Sequence, residues 1–138
     1  LREQLKEILN VNREWEVALV GVGDLGRALA KYNGFRHRGF HISLIFDNDP
    51  AKVGQSIDEF EVFDTSVLEE RLRGRGIRVA MLAVPAEAAQ AVAEQLVRAG
   101  ITGILNYAPI NLTVPESVQV QYIDPVVHLQ RMTYYLQA

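Results

Sequence analysis

Glu16-Val17-Ala18-Leu19-Val20-Gly21-Val22-Gly23-Asp24-Leu25-Gly26 is the stretch that decides the fold. Its first half is a short run rich in branched apolar residues that ends at glycine, the pattern of a strand buried on both faces. Its second half fits G-x-G-x-x-G, and residues 24–32 then carry Leu25, Ala28, Leu29 and Tyr32 at helical spacing. Alone the glycine pattern is weak, because the chain holds ten glycines and they cluster in turns. Placed directly after a buried strand and at the opening of a helix, it has the setting that gives it meaning. Gly21 permits the tight turn, Gly23 lets the backbone approach a diphosphate, and Gly26 lets helix and sheet pack closely, with Val22, Asp24 and Leu25 completing the loop. The helix start offers free N–H groups and about half a positive charge to an anion.

Working outward, His41–Phe46 reads as a second strand closed by Asp47-Asn48-Asp49-Pro50. Asp47 stands about 20 residues beyond Gly26, where a carboxylate accepts from both hydroxyls of an adenosine ribose. A carboxylate there repels a 2′-phosphate, which favours NAD(H) over NADP(H). The competing reading makes Asp47 only the cap of the turn before Pro50.

Further on, Phe60–Phe63 is a short third strand and Thr65–Arg73 a helix capped by Thr65 or Ser66. Ile77–Val84 is a buried strand stopped by Pro85, and Pro85–Ala99 a helix ended by Gly100. Gly103–Asn106 and Gln119–Ile123 are the last strands, and Val126–Leu136 the final helix. Strands alternating with helices in this rhythm give an α/β domain over residues 1–138, a doubly wound parallel sheet covered on both faces. Right-handed crossovers put the ligand crevice between the first and fourth strands. Val84-Pro85 and Asn106-Tyr107-Ala108-Pro109 then fall at carboxyl ends of strands, where ligands of such sheets bind. Tyr107 either stacks on a ring or is a half-buried aromatic.

The 138 residues suit a single domain that buries roughly two thirds of its unfolded surface without a staple. With no cysteine, disulfides, thiolate metal sites and a cysteine nucleophile are excluded. Fourteen Lys and Arg against seventeen Asp and Glu leave a net charge of −3, which argues against nucleic-acid binding by this segment. No apolar run is long enough to span a membrane. The chain opens at Leu1 inside a helical pattern (Leu1, Leu5, Ile8, Leu9), which predicts that it continues a longer protein.

His37, His41 and His128 match no metal spacing, so no metal is expected. Neither a Tyr-x-x-x-Lys pair nor a serine nucleophile elbow is present, and catalytic residues are not assigned. Arg71, Arg73, Arg75 and Arg78 read as a solvated helix end. The final helix is unusually apolar, with Val126, Val127, Leu129, Met132, Tyr135 and Leu136 on one stripe and Tyr134 beside it. It is either a cover for its own domain or, the sharper idea, a surface buried against a second subunit.

Taken together, these segments resemble the redox-sensing transcriptional repressor family called Rex. The likeness runs through Leu1–Leu9, Val20–Gly26, Tyr32-Asn33-Gly34-Phe35, Ile45–Pro50 with Lys52-Val53-Gly54, Val84-Pro85 with Ala88-Ala89-Gln90, and Gly103–Pro109. The resemblance implies a cytoplasmic sensor, not an enzyme, in which NADH and NAD⁺ compete for one Rossmann crevice. It places Asn48 and Lys52 with Asp47 among the cofactor contacts. It implies a homodimer formed through helix 126–136 and released from operator DNA by the reduced form. Operator contacts belong to an N-terminal winged-helix domain that this chain lacks. Tyr32 and Asp124 correspond to the pair whose hydrogen bond follows the redox state; Tyr32 also reads as a helix end and Asp124 as a cap. After Asp124 the family commonly has a bulky apolar residue, and here Pro125 offers no such ring to nicotinamide. Two other readings share the sheet and the glycine turn: a small NAD-dependent oxidoreductase or its cofactor half, and a coenzyme A-binding domain.

Overall fold

The computed structural model describes residues 14–123 and 125–137. Strand β1 (Trp15–Val20) leads through the glycine turn into α1 (Asp24–Lys31), and a 3₁₀ turn (Asn33–Arg38) leads into β2 (Phe40–Asp47). Then come β3 (Ser56–Ile57), β4 (Phe60–Asp64), a 3₁₀ turn (Thr65–Val67), α2 (Leu68–Arg75), β5 (Val79–Leu82) and α3 (Ala86–Arg98). The series closes with β6 (Gly103–Asn106), β7 (Gln119–Tyr122) and α4 (Pro125–Gln137).

The sheet order is β3-β4-β2-β1-β5-β6-β7, parallel throughout except for the β3–β4 hairpin. This is the Rossmann arrangement. From β1 the chain winds outward to β2 and β4, crosses back, and winds the other way through β5, β6 and β7. The winding reverses between β1 and β5, where the sequence placed its crevice.

Successive β1 side chains go to opposite faces, and both faces are apolar. Ala18 and Val20 join Leu44, Phe46, Ala80 and Leu82 under Leu68 and Leu72 of α2 and Ala89, Val92, Ala93 and Leu96 of α3. Val17 and Leu19 join Ile45, Met81, Ile57 and Val62 under Ala30 of α1. Among the described residues this second side is covered less completely. There, an apolar groove of about 240 Å³ runs along Val17, Phe35, Phe40, Ile42, Val79, Met81 and Leu105, rimmed by Arg38.

Three local readings also change. The turn before α2 is capped by Asp64, whose carboxylate accepts from Ser66 N at 2.9 Å, not by Thr65 or Ser66. The two-residue strand β3 has no visible periodicity and goes unseen in the sequence; it exists because Ser56–Ile57 folds back on Phe60–Glu61. The arginine run is also more than solvated. Arg75 Nη2 meets Glu16 Oε1 at 2.7 Å, Arg73 donates to the Arg98 carbonyl, and the Arg71 guanidinium lies 3.9 Å above the Phe63 ring.

Candidate functional site

At the carboxyl ends of β1, β2 and β5 the sheet opens into a cavity of about 430 Å³. The glycine turn is its floor. Gly21 has φ +102°, and a Cβ on it would lie 2.3 Å from the Ala83 carbonyl oxygen. A Cβ on Gly26 would lie 1.8 Å from the Gly21 oxygen, so α1 can approach the turn only without a side chain there. Gly23 differs from both. Its φ of −69° suits any residue, and a Cβ on it would meet nothing within 4 Å. Nothing in the fold demands glycine at that position, which opens onto the cavity.

Asp47 joins the turn to the second strand. Its Oδ2 accepts from Val22 N at 2.8 Å and its Oδ1 from Asp49 N at 2.9 Å. Asp47 therefore caps the turn before Pro50 and also lines the cavity. Each carboxylate oxygen keeps a lone pair after these bonds, enough for a ribose diol. The buried Val22 contributes its amide and not its side chain.

The structure brings Gly21, Gly23, Asp24, Leu25, Asp47, Asn48, Lys52, Val84 and Pro85 to the cavity wall. Sequence reasoning missed Val20, Asp49, Thr65, Ala83, Ala88 and Val92 there. Two of these were within reach. Ala88 and Val92 are one turn apart on α3 behind Pro85, so one of them on the crevice predicts the other. Thr65 follows β4, whose place beside β2 could not be known from the sequence.

The Asn106–Pro109 segment stands beside this cavity and does not line it. Asn106, 1% exposed, spends its amide on its own loop: Nδ2 donates to the carbonyls of Ala108 (3.2 Å) and Ile110 (3.0 Å), and Oδ1 accepts from Ala108 N (2.9 Å). Tyr107 N donates to the Leu82 carbonyl at 2.9 Å, which fixes the segment against the end of β5. The Tyr107 ring packs against the α1-side core, and its burial raises the phenol pKa above 10.0.

Tyr32 lies at the other end of α1, about 12 Å along the helix from the glycine turn. It is 60% exposed and stacks edge-on against Phe35 at 4.8 Å. Asp124, its sequence-assigned partner, lies outside the described residues, as do Leu1–Leu9. On α4, Leu129, Met132, Tyr134, Tyr135 and Leu136 are all exposed, with Tyr134 and Tyr135 edge to face at 5.9 Å.

The geometry thus offers backbone donors at a helix start, an acid on the next strand, and a wall of Val84, Pro85, Ala88 and Val92. That set fits an adenine dinucleotide. The CoA binding domain family matches residues 12–110. The redox-sensing transcriptional repressors Rex of Roseiflexus sp. (strain RS-1) and Chloroflexus aurantiacus (strain ATCC 29366 / DSM 635 / J-10-fl) are 49% and 50% identical over 136 residues. The chain belongs to the CoA binding domain family. The matches cover 99% of it and 62% and 64% of the two relatives, so it spans about three fifths of their length. RSP, a Rex-family repressor of known structure, is 34% identical with a TM-score of 0.88, over 97% of this chain and 64% of RSP. RSP has been solved with β-NADH, and with β-NAD⁺ and operator DNA. Oxidoreductases among the matched structures are 13–20% identical and share the fold alone.

Proposed function

We propose that this domain is the NAD(H)-sensing and dimerisation part of a cytoplasmic Rex-type repressor whose grip on operator DNA is released by NADH. The observation that carries the reading is the bond between Asp47 and Val22 N, which builds the ribose acid and the phosphate turn into one preformed seat. Gly23 and the start of α1 hold the diphosphate, Asp47 takes the ribose, and Lys52 is the cation of the wall. When bound, the dinucleotide supplies a nicotinamide that is cationic when oxidised and neutral when reduced. An apolar surround penalises the cation, and each 1.4 kcal/mol of penalty gives a tenfold preference for NADH.

Affinity becomes a signal through the subunit arrangement. The exposed apolar side of α4 supports a homodimer formed through helix 126–136, and Tyr32 with Asp124 forms the redox-linked pair. Operator contact lies in the share of the relatives that this chain does not span.

The family match favours coenzyme A as a second reading. Three carboxylates (Asp24, Asp47, Asp49) against one ammonium (Lys52) line the cavity, and coenzyme A would add a 3′-phosphate to it. Titration calorimetry with NADH, NAD⁺ and coenzyme A tests the choice. The expected order is NADH, then NAD⁺, then coenzyme A; equal NADH and NAD⁺ affinities, or coenzyme A binding more tightly than NADH, would overturn the proposal.

A further inference from the structure

The crevice gives its ligand a direction. Asp47 is on β2, to one side of β1, and the phosphate turn is at the end of β1 itself. The far half of a dinucleotide then extends over β5 and β6, whose ends reach about 10 Å beyond the turn at one strand spacing each. Those ends carry Ala83–Pro85 and the segment that begins at Tyr107.

That segment is held by side chains. Residues 107–118 contain no helix or strand, so their backbone groups need partners from elsewhere. Asn106 satisfies Ala108 and Ile110, and the Tyr122 hydroxyl accepts from Leu112 N at 3.0 Å. Gln90 pairs with Thr113 as one peptide pairs with another. Its Oε1 accepts from Thr113 N and its Nε2 donates to the Thr113 carbonyl, each at 2.9 Å. Its Nε2 also donates to Glu94 Oε2 at 3.0 Å, which fixes the amide plane. Gln90 sits on α3 between Ala88 and Val92, both on the crevice wall, and points about 200° away from each around the helix. One helix therefore touches the crevice with one side and grips the 107–118 loop with the other.

We propose that Gln90 is a positioning residue for the far half of the dinucleotide, with Tyr122 as its second anchor. It locks the loop to the crevice wall and so sets how closely Tyr107-Ala108-Pro109, which stand beside the cavity, approach the far half. The proposal rests on the cofactor reading above. The test measures NADH and ADP-ribose affinities for the native protein, Gln90→Ala and Tyr122→Phe, with thermal unfolding alongside. Each variant loses NADH affinity by about tenfold, the worth of one or two neutral hydrogen bonds, and keeps ADP-ribose affinity within about twofold. Equal losses for both ligands would show a merely structural clamp, and no loss for either would show that the loop does not meet the ring; each result overturns the proposal. Native protein that binds neither ligand would overturn the cofactor reading itself, a failure distinct from both.

Discussion

Gly23→Ala separates what the fold needs from what the ligand needs. The position has φ −69° and ψ −162°, which alanine adopts freely, and the new methyl meets nothing within 4 Å. Gly23 is the N-cap of α1, where alanine costs up to about 1 kcal/mol relative to glycine. Stiffening the unfolded chain returns about 0.4–1 kcal/mol. The net change is about 0.5 kcal/mol or less, and Tm moves by no more than about 2 °C for a chain of this size.

Gly26→Ala is the contrast. Its methyl must retreat from 1.8 Å to ordinary contact at 3.4 Å, a shift of about 1.6 Å for the helix or the turn. Overpacking of that kind costs about 1–3 kcal/mol and lowers Tm by roughly 3–10 °C. In Gly23→Ala the same methyl stands where the diphosphate meets the turn and holds the anion off its amides. Charge-assisted hydrogen bonds contribute about 1.5–3 kcal/mol, so NADH affinity falls about 10- to 100-fold. Calorimetric titration with NADH beside a differential scanning trace reads both quantities. NADH binding to Gly23→Ala within about threefold of native would refute the placement of the diphosphate, and a Tm loss above about 5 °C would refute the claim that the fold leaves this position free.

Two further predictions concern the edges of the domain. Glu16 is held below the usual 4.5, first by the hydrogen bond from Arg75, with burial opposing and Ser43 helping. A depressed folded pKa contributes stability above pH 4.5 that disappears as pH falls through the lower folded value. Both side chains of the pair are about half exposed, so solvent screens the effect. Urea unfolding followed on the single tryptophan should show Glu16→Gln slightly less stable than native at pH 7 and equal to it near pH 3; a difference independent of pH would exclude the pair as its cause. For the dimer, Leu129→Glu with Met132→Glu puts charge on the exposed apolar side of α4 and should convert dimer to monomer in light scattering. Native protein that is already monomeric, or a doubly substituted dimer, would count against that surface.

The glycine turn, Asp47 and the strand–helix alternation were legible because each is a local pattern: apolar runs, glycine spacing, an acid at a strand end. Their assembly into one crevice followed from the handedness of parallel connections. What stayed hidden depends on distant partners. Asp47 bonds Val22 across 25 positions and Gln90 bonds Thr113 across 23, and no periodicity marks either. Asn106 reads as a ligand contact because it ends a strand, yet its amide is consumed by its own loop.

The tie from Asp47 to Val22 has a consequence for measurement. In the proposed function it stiffens the end of the domain that grips what NADH and NAD⁺ have in common. A rigid handle on the shared half draws in both forms, which then compete for one seat. Such a receptor responds to the proportion between the two and stays nearly indifferent to their total, a gauge of balance instead of quantity.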